Sequence, residues 1–126
     1  MAPAYVDASV ILAVALGEPT APAAHRRLGS FAAVLSSPLL EAEVRSALRR
    51  SAVEADQKLV GRIQGIFPRR SLRAEIEQVL NAGDVRGADC FHLATALYLA
   101  PEPGAMTFLT LDSRQSAVAR ALGFKT

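Results

Sequence analysis

Cysteine is almost missing from this chain: Cys90 is the single one in 126 residues. One thiol cannot close an intrachain disulfide or build a Cys-rich zinc site, and it fits a reducing compartment. Histidine is scarce too. His25 and His92 are too few for a His-based metal cage, and no Ser-His-Asp or Cys-His arrangement stands out. Long apolar runs are also lacking. Ala8–Leu16 falls far short of the about 20 apolar residues a membrane span needs. No basic n-region opens the chain, and Asp7 interrupts its apolar start. These absences lead us to expect an unexported, cytoplasmic protein with no membrane association. Internal repeats, low-complexity tracts and interdomain linkers are absent as well, so residues 1–126 are expected to form a single domain.

What is present is globular in character. Half the residues, 51%, are hydrophobic and 21% are charged, which excludes a disordered chain. The formal net charge is only +2. If four of the 12 acids gather in one pocket, 14 cations face the remaining 8, and the surrounding surface is distinctly basic. Such a balance suits a polyanionic substrate held by metal ions. The cations are nearly all arginine, with only Lys58 and Lys125 as lysines. Arginine suits bidentate phosphate contacts, although GC-rich coding produces the same bias.

Read in order, Ala4-Tyr5-Val6 is a short buried strand. The apolar run Val10–Leu16 follows, with Asp7 as a good N-cap before it and Gly17 as a stop after it. We therefore read strand, Asp, helix, in preference to a second strand. Thr20 is placed to cap a helix from Ala21 to about Leu28, and Ala32–Leu35 reads as a short strand. Ser36-Ser37-Pro38 marks the start of an amphipathic helix, Pro38–Arg50, with Pro38 as its first residue. At about 100° per residue, Leu40, Val44, Ala47 and Leu48 share one face. Glu43 falls on the margin of that face, whereas Glu41 lies opposite, where it can pair with Arg45. Glu54–Ile66 reads as a helical segment and Leu72–Leu80 as another. A nearly all-apolar helix runs from Ala88 to about Leu99. Met106–Thr110 is the clearest strand, Ser113–Leu122 is a helix closed by Gly123, and Phe124–Thr126 is a candidate edge strand. Strands alternating with helices indicate an α/β sandwich with a mainly parallel sheet.

Four acids fall at comparable places on this plan. Asp7 and Asp112 follow strands, at the end of a parallel sheet where open α/β folds bind ligands. Glu43 and Asp89 lie in the first turns of two helices. Carboxylates without a thiolate or imidazole cluster suit a hard cation, Mg²⁺ or Mn²⁺. Each acid also has a plainer reading: Asp7, Asp112 and Asp89 as N-caps, Glu43 as a solvated helix residue. Ser9 and Thr110 are by default cap or turn residues, and Cys90 and His92 packed ones.

The ordered set Tyr5–Leu12, Ser36–Val44, Arg86–Ala96 and Phe108–Arg114 resembles the PIN-domain proteins, specifically the VapC-type toxins of toxin–antitoxin pairs. The resemblance spans nearly the whole chain. It implies a three-layer α/β/α sandwich and an Mg²⁺- or Mn²⁺-dependent ribonuclease. Asp7, Glu43, Asp89 and Asp112 match the family's acidic quartet. The resemblance makes Asp7 and Asp89 metal ligands, and Glu43 a ligand or the group orienting the attacking water. Asp112 would act on a second ion or through water. Ser9 and Thr110 match polar positions beside the site. Arg45, Arg49 and Arg50, together with Arg86 and Arg114, are candidates for RNA phosphate contacts, with solvated helix charges as the plainer reading. A small antitoxin that blocks the site and a homodimer are the implied partners. Ser51–Asn81 matches no motif. Other readings are a housekeeping PIN nuclease, a non-catalytic PIN-fold binding module, and a phosphatase using Asp7 as nucleophile. The last would want an acid at position 9, which is Ser9.

Overall fold

The computed structural model describes residues 3–126. Four short strands, β1 (Ala4–Val6), β2 (Val34–Ser36), β3 (Ile63–Gly65) and β4 (Thr107–Leu109), form one sheet in the order β3-β2-β1-β4. Every pairing is parallel; Tyr5, for instance, stands opposite Leu35 on one side and Phe108 on the other. All four strands therefore end at the same edge.

Among the described residues seven α-helices cover the sheet: α1 (Ala8–Ala15), α2 (Ala21–Gly29), α3 (Leu39–Arg50), α4 (Gln57–Gly61), α5 (Arg73–Ala82), α6 (Gly87–Leu99) and α7 (Ser113–Leu122). Alternation along the strands divides the core in two, because successive side chains point to opposite faces. Ala4 and Val6 pack with Leu109, Ile11, Leu28, Leu40, Val44 and Leu48, from β4 and α1–α3. Tyr5 and Phe108 face the other way, onto Val79, Leu93, Leu97 and Val118 of α5–α7. Their rings stack 5.3 Å apart. The expected α/β/α sandwich is thus present, with an entirely parallel sheet.

Most elements lie where local signals place them, and the differences have local causes. Asp7 does cap α1, accepting from Ser9 N–H, and Gly17 follows with φ +65°. The Ser113–Leu122 helix is found as expected, ended by Gly123 at φ +104°. On α3, Leu40, Val44 and Leu48 are buried and Glu41 pairs with Arg45 at 3.1 Å. Pro38 precedes this helix instead of opening it, and the Ser37 hydroxyl oxygen accepts from Leu39 N–H. Thr20 makes no capping bond with its side chain.

The Glu54–Ile66 segment is not one helix. Asp56 caps the five-residue α4, which ends at Gly61, and Ile63–Gly65 is the edge strand β3. Two glycines within five residues weaken a helix here, and pairing with β2 supplies the alternative. The Phe124–Thr126 edge strand reduces to a single parallel bridge between Thr107 and Lys125. Among the described residues no helix is long and apolar enough to cross a membrane.

Candidate active site

Asp7 leaves β1 at the carboxyl edge of the sheet and is only 4% exposed. Three donors satisfy it. Ser9 gives Oδ1 its backbone N–H at 3.1 Å and its hydroxyl at 2.6 Å, and the Thr110 hydroxyl reaches Oδ2 at 2.6 Å. Burial nevertheless holds the Asp7 carboxyl above its ordinary pKa, with those hydrogen bonds acting in the opposite direction. Ser9 and Thr110 both touch Asp7 directly.

Asp112 follows β4 by three residues. Its Oδ1 accepts Gln115 N–H at 2.9 Å, which makes it the N-cap of α7, while its exposed side chain keeps another oxygen free for other contacts. Asp89 is not a cap. Helix α6 begins at Gly87, with Arg86 in the capping position and no side-chain cap bond, so Asp89 is the third helical residue. Its carboxylate has no hydrogen-bond partner among the described residues. The partial positive charge of a helix N-terminus favours an acid in that turn. Desolvation still raises its pKa, and the charges of Asp112, Asp7 and Glu43 raise it further. The four acids therefore share one electrostatic field. Asp89 and Asp112 line a single cleft with Arg86, Ser113 and Arg114.

Glu43 reaches the site region from α3. Its Oε1 lies 2.5 Å from His92 Nε2, and His92 Nδ1 lies 2.8 Å from the Tyr5 hydroxyl. His92 is 1% exposed, so the packed, hydrogen-bonded histidine expected from its apolar neighbours is what is found. Its partners are a strand residue two before Asp7 and one of the four acids. Gln115 is the residue that sequence reasoning missed. It is fully buried in α7, donates its backbone N–H to Asp112 Oδ1, places Oε1 3.1 Å from Thr110 Oγ1 and donates from Nε2 to the Asp89 carbonyl at 3.4 Å. A glutamine three residues after a capping acid was its one sequence signal.

The arginines separate. Arg86 and Arg114 stand on the cleft with Asp89 and Asp112. Arg45 and Arg49 line a groove with Val53 and Gln57, and Arg45 is tied to Glu41. On the α3 wheel, Arg45 and Glu43 lie on opposite flanks of the buried face, about 160° apart at about 100° per residue.

The PIN domain family model matches residues 4–121. The chain belongs to the PIN domain family. PIN domains are generally nucleases, and the match takes in every strand and helix named above except the end of α7. No curated protein and no solved structure matches the chain.

PIN domains typically use divalent metals, and the donor chemistry here suits one: four carboxylates, repelling one another around Asp89, offer only hard oxygen ligands. Among the described residues, no group of three or more acidic, histidine or cysteine side chains is placed to hold an ion as it stands. Asp7, Glu43 and Asp112 are each held by their own protein partners, and Asp89 alone is unattached.

Proposed function

We propose that this PIN domain is a cytoplasmic, metal-dependent endoribonuclease and the toxin of a type II toxin–antitoxin pair, folded as one domain over residues 1–126. The observation that carries the nuclease reading is the shared field of the four acids, at a cleft edged by Arg86 and Arg114. Carboxylates crowded at a partly dry site are costly unless a cation offsets them. Asp7 and Asp89 would hold Mg²⁺ or Mn²⁺, with Glu43 and Asp112 acting directly or through water. Such an ion, when bound, supplies positive charge to offset the carboxylates and polarises a phosphoryl oxygen.

The rest of the work falls to side chains. Arg86 and Arg114 bind flanking phosphates of a single-stranded RNA. Ser9 and Thr110 hold both oxygens of Asp7 in place. Glu43 orients the attacking water through Oε2, since Oε1 is engaged by His92. The toxin role, a small partner protein that blocks the cleft, and a homodimer rest on the resemblance to VapC-type toxins.

The test is RNA cleavage with Mg²⁺ or Mn²⁺, with EDTA, and with Asp7→Asn and Asp89→Asn. Cleavage should need the metal and fall by at least about 100-fold in either variant. Cleavage that persists in EDTA and in both variants would sink the metal-nuclease reading. Expression without a partner should arrest growth. Healthy growth with active protein would instead indicate a housekeeping nuclease, and folded protein without any nuclease activity a binding module.

A further inference from the structure

Nothing in the sequence singles His92 out from its packed neighbours, yet it is the most polar side chain buried in α6. It lies between two groups that can constrain its protons. A carboxylate only accepts, so the Glu43 contact requires a hydrogen on Nε2. On the other side, the Tyr5 hydroxyl already accepts Ser37 N–H at 3.0 Å. The shortest contact open to its own proton is His92 Nδ1 at 2.8 Å. Nε2 then carries the hydrogen that meets Glu43, and Nδ1 accepts from Tyr5.

The direction of donation then runs unbroken. Ser37 N–H, at the end of β2, donates to Tyr5 on β1; Tyr5 donates to His92 on α6; His92 donates to Glu43 on α3. The Tyr5 ring is itself fixed, stacked on Phe108 and edge-on to His92. Glu43 reaches the site from α3 on a long side chain with three rotatable bonds. It is 28% exposed and would otherwise be free to swing. No buried polar side-chain atom among the described residues lacks a partner, so this chain is fully satisfied.

We infer that His92, held by Tyr5, is a positioning residue that fixes Glu43 by one carboxylate oxygen and leaves the other for the site. The inference rests on the nuclease reading for what Glu43 does, but not for the hydrogen-bond relay. Groups that hold a site carboxylate in place commonly matter about 10–100-fold in affinity or rate.

Two measurements on the metal-free protein come first. The ¹⁵N shifts of the His92 ring should show a protonated Nε2 and an unprotonated Nδ1 near neutral pH, and Tyr5→Phe should change them. His25→Gln, an exposed substitution on α2, removes the other histidine signals and serves as the kinetic control. A His92 protonated on Nδ1 alone would overturn the relay whatever the enzyme does. Next, His92→Leu and Tyr5→Phe should lower kcat for RNA cleavage by about 10–100-fold with KM nearly unchanged. His92→Gln, which can still offer an N–H, should recover part of that loss. Combined with Glu43→Gln, His92→Leu should cost little beyond Glu43→Gln alone, because both remove one unit. Mn²⁺ titration by calorimetry should show weaker binding in His92→Leu. If wild type cleaves RNA and His92→Leu loses only thermal stability, the inference fails while the nuclease reading stands. If wild type cleaves no RNA but the ring shifts are as expected, the nuclease reading fails and the relay is retained as a structural device.

Discussion

Asp89 is the acid whose surroundings say most. It has no hydrogen bond to offset its burial, and three other acids push its pKa the same way. A raised folded-state pKa means that the fold prefers the neutral form. The stabilising contribution is then fully present below the ordinary carboxylate value and drains away as pH climbs through the raised one. Metal-free Asp89→Asn should therefore melt with wild type at the acid end. By neutral pH it should melt higher than wild type. A thermal series between the acid end and neutral pH, in EDTA, checks this; a gap independent of pH would rule the charge argument out. Asp7→Asn should gain less. Its burial cost is relieved too, but the Thr110 hydroxyl loses a charged acceptor.

Helices α5 and α7 meet at a point where one glycine decides the fit. Gly83 has an extended backbone, φ 174°, which any residue adopts, so conformation does not require glycine there. Space does. An added Cβ would lie 2.6 Å from Val118 Cγ2. Val118 is buried and β-branched, so it has few rotamers into which to retreat. Gly83→Ala should cost about 1–2 kcal/mol by urea denaturation, the scale of overpacking in a filled core. Shortening the opposing side chain with Val118→Ala should offset part of that cost, giving a favourable coupling of about 1 kcal/mol in the double-mutant cycle. Simple additivity would mean that the loss has another origin. Because α7 carries Gln115 and follows Asp112, a shift of this contact should also reach the acids.

Taken entire, the chain carries a small net charge, +2, but places its charges unevenly. Acids gather at the carboxyl edge of the sheet, with Arg86 and Arg114 at the same cleft. If RNA lies there, its affinity should fall linearly in log salt. Each arginine that meets a phosphate of a single strand should contribute about 0.7 to the slope. Fluorescence anisotropy with a labelled single-stranded RNA should show Arg86→Ala and Arg114→Ala each lowering the slope by that amount. Arg120→Ala, on α7 and bonded to Ser116, should leave it alone. Unchanged slopes in both cleft variants would place the RNA elsewhere.

Local chemistry made much of this protein legible before folding. A capping Asp7, an αL glycine after α7, the amphipathic period of α3 and the apolar strand before Asp112 each act within a turn or two of chain, so neighbouring residues suffice to read them. Edge strand β3 was not legible, since Ile63-Gln64-Gly65 has no strand signature and is extended because β2 lies beside it. The same holds at the site. The four acids could be named, but Asp89 by itself read more readily as a cap until α6 was seen to begin at Gly87. Nothing local joins His92 to Tyr5, 87 residues away, or to Glu43, 49 away. Such pairings arise in the packed interior, where an unpartnered polar group is costly and each must find its partner among whatever the other elements bring near.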